Sequence, residues 1–84
     1  MAAIHGTVVD ASGRPVAGAR VFFVAAPGPI PEVAALSDGG GRFALAAAQP
    51  GHYRVSCMSD AAGSGAADVA VGSGDADVVL WLGG

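Results

Sequence analysis

Lysine and asparagine are absent from this 84-residue chain, and charge of either sign is scarce. Charged residues make up 13% of the chain, the net charge is −3, and the only strong cations are Arg14, Arg20, Arg42 and Arg54. A nucleic-acid-binding surface needs clustered cations, so we expect no nucleic acid partner. No apolar run reaches the roughly 18 residues that cross a bilayer, so we expect no membrane partner either.

Groups that could carry chemistry are equally few. The single cysteine, Cys57, excludes an internal disulfide, and its predicted place on an inward strand face with Tyr53 and Val55 favours an inert thiol. The two histidines, His5 and His52, are predicted on the outward faces of different strands. Since no Cys/His cluster has ligand spacing and the acidic residues lie mostly in turns, we predict no metal site, no cofactor and no catalytic residue.

What the chain does have is a regular alternation of short apolar stretches and Gly, Pro or Asp breaks. This pattern is typical of a small, all-β, antiparallel β-sandwich. Strands are predicted at residues 3–10, 19–26, 32–37, 42–47, 52–58, 67–72 and 76–82. The alanine-rich run 44–48 also permits a helix, an alternative that its shortness disfavours.

The breaks between these strands predict turns and loops. Asp38-Gly39-Gly40-Gly41 is a hairpin turn by composition, because Asp-Gly favours one. Prolines 27, 29 and 31 predict an extended surface loop that could shield a sheet edge, and residues 60–66 predict a loop rich in Gly, Ser and Ala. Aspartates at turns cap backbone N–H groups, so their presence there needs no functional explanation.

Length and the start of the chain give two further expectations. Eighty-four residues suffice for one domain, residues 1–84, with a modest stability of about 5 kcal/mol. The start shows no basic segment followed by an apolar stretch, so no signal peptide is expected. A complete chain would then be cytoplasmic; for a domain cut from a longer protein the location stays open.

Four spaced motifs run along the chain: Ile4-x-Gly6-x-Val8-x-Asp10, Gly13-x-Pro15-Val16-x-Gly18-Ala19-x-Val21, Asp38-x-x-Gly41-x-Phe43 and Gly51-x-Tyr53-x-Val55. Their order resembles the carboxypeptidase regulatory-like domain. That resemblance implies a prealbumin-like (transthyretin-like), seven-stranded Greek-key sandwich. It also implies a non-catalytic accessory module, and some relatives of this kind bind starch.

Two better-defined relatives of that fold can be compared residue by residue. Adhesin B-type domains often form a Lys–Asn isopeptide bond, which this chain cannot make because it has neither residue. Hydroxyisourate hydrolase resembles the segment from Val8 to Val21 but has a catalytic His three residues before Asp10, where this chain has Thr7. Its terminal Tyr-Arg-Gly-Ser is replaced by Trp-Leu-Gly-Gly at 81–84. We therefore expect no enzyme, and the hydrolase stays a remote alternative.

The candidate functional residues are apolar side chains predicted on outward strand faces. These are Val9, Phe22, Val24, Met58, Val79 and Trp81. In a transthyretin-like sandwich the second and fifth strands lie together, as do the first and last. The first predicted interface therefore comprises Arg20, Phe22, Val24 and Arg54, and the second comprises Val79 and Trp81. Trp81 could instead cover an open edge of the sandwich.

The function predicted from these residues is docking onto another protein or onto a second copy of this chain. Binding of a starch-like glycan is the alternative, because aromatic faces stack on sugar rings. Partner identity and oligomeric state do not follow from the sequence.

Overall fold

Seven strands and no helix make up the described part of the chain. The structure is a computed structural model that describes residues 2–29, 34–47 and 49–83. The strands are β1 (Ala2–Val9), β2 (Arg20–Ala25), β3 (Ala34–Leu36), β4 (Arg42–Ala47), β5 (Gly51–Ser59), β6 (Gly63–Val71) and β7 (Ala76–Trp81).

The strands form two sheets, one with the order β4-β1-β7 and one with the order β3-β2-β5-β6. All neighbouring strands of the four-stranded sheet are antiparallel. In the three-stranded sheet β1 is antiparallel to β4 but parallel to β7. No hairpin joins β1 to β7, so their relative direction is free to be parallel. The predicted all-β, seven-stranded sandwich is confirmed, but the expected antiparallel pairing does not hold for β1 and β7. Its Greek-key connectivity stays a prediction.

The core lies between the sheets and follows the alternation of side chains along each strand. Its fully buried members include Ile4, Val21, Val55 and Leu80, with contributions from both sheets. The inward face of β5 carries Tyr53, Val55 and Cys57, as the sequence predicts. These contacts fix each strand's register, because a slip of one residue would turn its apolar side chains to solvent.

Two loops of the same design leave β1 and β3. The Asp10 carboxylate accepts hydrogen bonds from the N–H groups of Ser12 and Arg14, and Asp38 does the same for Gly40 and Arg42. The Ser12 hydroxyl also donates to Asp10 at 2.6 Å and is the main cause of the lowered pKa of that carboxyl. The Arg42 N–H is the main cause of the lowered pKa of Asp38.

The prediction of a hairpin at Asp38–Gly41 is wrong. β3 pairs with β2 and β4 pairs with β1, so this turn carries the chain from one sheet to the other. The Asp38 N–H donates a hydrogen bond of 2.9 Å to the Arg42 carbonyl, as the closing bond of a hairpin would, but the flanking strands β3 and β4 do not pair. Local turn chemistry therefore does not decide which strands pair.

Three further predictions need correction or restriction. The loop predicted at 60–66 is too long, because Gly63–Ala66 pair with Ser56–Ser59 as the start of β6. Val9 is 9% exposed rather than outward, since the loop after β1 folds back and Pro15 pairs with it.

The alternative helix is wrong for 44–47, which belong to β4. Residues 30–33 and 48, parts of the predicted proline loop, third strand and alanine run, lie outside the described residues.

Candidate functional site

The outer surface of the four-stranded sheet carries apolar side chains at neighbouring register positions. Arg20 lies between Leu36 of β3 and Met58 of β5, and Phe22 follows on β2 between Ala34 and Ser56. Leu36 is 68% exposed and Met58 is 55% exposed. Val24, also exposed, lies at the irregularity in the β2–β5 pairing. We call this surface the Met58 face; it comprises Arg20, Phe22, Val24, Leu36, Arg54 and Met58.

The two arginines of the Met58 face differ in their surroundings. Arg54 Nη1 lies 3.1 Å from Asp68 Oδ1 across β5 and β6, so an exposed ion pair occupies its guanidinium. Among the described residues Arg20 forms no ion pair. It lines a small cavity of about 120 Å³ with Leu36, Met58 and Asp60. Arg20 and Asp60 therefore bring one positive and one negative side chain to this cavity, beside the apolar Leu36 and Met58.

Most of the first predicted interface does share one face. Pairing of β2 with β5 brings Arg20, Phe22, Val24 and Arg54 to one surface, as expected, although Phe22 is partly buried. Leu36 was missed, although it is the most exposed large apolar side chain of the described residues. A strand of three residues has too little alternation to indicate which side chain points outward. Whether these residues form an interface stays a prediction.

The outer surface of the three-stranded sheet presents the second predicted pair. Val79 lies beside Thr7 in the parallel β1–β7 pairing, and Trp81, 58% exposed, lies one step further along β7. Across β1, Thr7 pairs with Arg42 of β4. We call this surface the Trp81 face; it comprises His5, Thr7, Arg42, Asp77, Val79 and Trp81.

A shallow groove of about 410 Å³ crosses the Trp81 face. The polar side chains of His5, Thr7, Arg42 and Asp77 line it. Gly6 lies in the middle strand of this groove, where the absence of a side chain lets the Phe43 ring pack against the backbone. The groove is thus lined both by polar side chains and by the apolar Phe43 and Val79.

A hydrogen bond to Asp75 holds His5, one of the residues that line the groove. His5 Nε2 lies 3.1 Å from Asp75 Oδ2, and Asp75 Oδ1 accepts the backbone N–H of Ala3 at 2.9 Å. The Ala3 N–H and then His5 hold the pKa of Asp75 below its ordinary value. Spacing did not reveal this contact, because the partners are 70 residues apart in sequence.

The groups that could act as nucleophiles or metal ligands do not converge in the described ranges. Cys57 lies in the core, where burial raises the pKa of its thiol. His5 and His52 lie on different sheets. Within residues 2–29, 34–47 and 49–83, no group of three or more His, Cys, Asp or Glu side chains could hold a metal ion. The same ranges contain no helix long and apolar enough to cross a membrane.

Comparisons with known proteins place this geometry among transthyretin-like folds. A DUF3823 family protein from Parabacteroides merdae superposes with a TM-score of 0.70 at 15% identity, covering 96% of this chain and 45% of that one. The 5-hydroxyisourate hydrolase of Klebsiella pneumoniae gives a TM-score of 0.64 at 18% identity, covering 98% of this chain and 92% of the enzyme. This chain thus spans less than half of the Parabacteroides protein.

A third similar structure, from Pseudomonas aeruginosa, is described as a candidate carbohydrate-binding protein. Its TM-score is 0.64 at 21% identity, and the match covers 95% of this chain and 87% of that protein. At these identities the three structures show the fold alone. Curated protein sequences give no match. The sequence model of the carboxypeptidase regulatory-like domain, in contrast, matches residues 3–80, nearly the whole length, and the chain therefore belongs to the carboxypeptidase regulatory-like domain family.

Proposed function

We propose that this domain is a non-catalytic binding module that docks onto another protein through the Met58 face. The observation that carries the proposal is the clustering of exposed apolar side chains there. Three of the five large apolar side chains that are exposed among the described residues, Val24, Leu36 and Met58, lie on this face. Isolated exposed apolar residues are ordinary, but a contiguous group on one surface is typical of an interface.

The charges around this apolar group indicate the chemistry of the partner. Arg20 lies at the centre of the row between Leu36 and Met58 and has no ion-pair partner among the described residues. A partner that presents an apolar side chain beside a carboxylate would fill the cavity and pair with the guanidinium. A second copy is less suitable, because a two-fold contact centred on Arg20 would oppose two guanidinium groups.

A photo-crosslinking amino acid at position 58 can identify the partner in cells that express the full-length protein. Binding of the purified partner is then measured for Leu36→Glu and Met58→Glu. Both side chains are more than half exposed, so both variants are expected to fold. Each should lose about 2 kcal/mol of binding free energy, roughly thirtyfold in Kd.

The matched control is Val79→Glu, which places the same charge on an exposed apolar position of the opposite sheet. It should bind the partner as the unaltered domain does. Circular dichroism and urea unfolding verify that all three variants are folded. Equal binding by Met58→Glu and the unaltered domain would show that the Met58 face is not the docking surface. A concentration-dependent dimer of the unaltered domain would show that a second copy of the chain, and not another protein, occupies this face.

Glycan binding is the second candidate function. A specific observation favours it: the exposed Trp81 lies on the same strand face as Val79 and Asp77, two residues that line the groove. An aromatic ring next to hydrogen-bonding side chains is the combination that sugar binding uses. The fold shared with the Pseudomonas aeruginosa protein supports this candidate.

A further inference from the structure

Three polar side chains of the groove, those of Thr7, Arg42 and Asp77, can form hydrogen bonds to a ligand. Arg42 and Asp77 line the groove from opposite edge strands, and neither forms an ion pair among the described residues. Thr7, on the middle strand, adds a hydroxyl group that can both donate and accept. The groove therefore offers donors on one side and acceptors on the other.

The charges near the groove select against an anionic ligand. Asp77 lies beside His5, which is hydrogen-bonded to the carboxylate of Asp75, whereas Arg42, the only guanidinium that lines the groove, lies beside Thr7. The domain as a whole carries a net charge of −3. A ligand with many hydroxyl groups and no charge can bond to both Arg42 and Asp77 without bringing a further negative charge.

The distance between the acceptor and the aromatic ring sets the length of the ligand. Asp77 and Trp81 are four residues apart on one strand, so their Cα atoms are separated by about 13 Å. One pyranose ring is too short to contact both. A chain of two or three rings can stack on Trp81 and still reach the groove.

We propose that the Trp81 face binds a neutral oligosaccharide of at least two rings, with Trp81 as the stacking platform and Arg42, Asp77 and Thr7 as hydrogen-bonding groups. This inference rests on the second function proposed above, glycan binding. It adds the location of the site, the exclusion of acidic sugars and the minimum length.

The test titrates the ¹⁵N-labelled domain with cellotriose, maltotriose, glucose and trigalacturonate and follows the amide signals by NMR. At least one neutral trisaccharide should shift the signals of Thr7, Val79 and Trp81 saturably, with a Kd of about 1 mM or tighter. Glucose and trigalacturonate should each bind at least about tenfold more weakly. Trp81→Ala and Asp77→Ala should each weaken trisaccharide binding by about tenfold, whereas the control Met58→Ala, on the opposite sheet, should not.

The outcomes separate the two levels of the proposal. If neither trisaccharide binds, both glycan binding and this site are overturned. If a trisaccharide binds but Trp81→Ala and Asp77→Ala retain full affinity, glycan binding stands and the site is wrong. Trigalacturonate that binds as tightly as the neutral chains overturns the charge argument, and glucose that does so overturns the length argument. Asp77→Ala keeps the test valid if Trp81→Ala fails to fold.

Discussion

Substitution of Gly6 by alanine tests how the middle strand supports the Trp81 face. Gly6 lies on β1 opposite Phe43 of β4, and the Phe43 ring packs where a side chain at residue 6 would be. A Cβ atom there would contact the ring and lie 2.6 Å from the carbonyl oxygen of Val78. The ring can turn aside, but the Val78 carbonyl belongs to the sheet and cannot move alone.

Two opposing contributions set the change in the free energy of unfolding that Gly6→Ala causes. Overpacking at a closely packed position costs about 1–3 kcal/mol. Replacing glycine by alanine in a strand returns about 0.5–1 kcal/mol, because the unfolded chain loses freedom. We therefore expect Gly6→Ala to lower the free energy of unfolding by about 1 kcal/mol and by at most about 2.5 kcal/mol, out of the roughly 5 kcal/mol of a domain this small.

Urea unfolding followed by tryptophan fluorescence measures this change. Gly39→Ala is the matched control, because a Cβ atom at Gly39 has no atom within 4 Å and its φ is not in the left-handed region. Phe43→Leu, in the Gly6→Ala background, should cost less than it does alone, since a shorter side chain relieves part of the overlap. A Gly6→Ala domain that unfolds at the same urea concentration as the Gly39→Ala domain would refute the packing described here.

Two further changes test the loops. The pKa of Asp38 is lowered in the folded state by the N–H groups of Arg42 and Gly40. Its stabilising contribution is therefore present above the unfolded-state pKa of about 4, and it is lost as the pH falls from there through the lower folded-state pKa. Urea midpoints measured between about pH 6 and pH 2 should fall, and Asp38→Asn should show a smaller fall; equal slopes would contradict this assignment. The buried Ser37 Oγ donates to the Val16 carbonyl at 2.6 Å and accepts the Ala19 N–H at 2.9 Å. Ser37→Ala should therefore cost about 1–3 kcal/mol in urea unfolding and speed hydrogen exchange at the Ala19 amide; unchanged exchange would show that this hydroxyl does not hold the segment.

The sequence predicts the strands of this domain well because each strand leaves a local trace. Alternation identifies the inward side of β2 and β5, and breaks at Gly, Pro and Asp set most of the ends. The strand prediction fails at Gly63–Ala66, because their Gly, Ser and Ala composition is typical of a loop. Those residues are strand only because β5 extends beside them, and that contact is not encoded locally.

The Met58 and Trp81 faces were predicted only where the family resemblance indicated which strands are neighbours. Neighbouring β2 and β5 give the position of Arg20 beside Met58, and neighbouring β1 and β7 give that of Thr7 beside Val79. The groove escaped prediction because Arg42 joins it through the β1–β4 pairing, which no pattern in the sequence indicated. Strand pairing, more than strand location, therefore decides what the surface of this domain can bind.

The parallel pairing of β1 and β7 has a mechanical consequence. Six register pairs, from Ile4 with Ala76 to Val9 with Trp81, join the two strands side by side and in the same direction. A force applied to the N-terminal end of β1 and the C-terminal end of β7 therefore acts parallel to the strands. It loads all the hydrogen bonds between them at the same time. Such a shear load meets far more resistance than unzipping one bond at a time, so a domain tethered at these two points withstands tension.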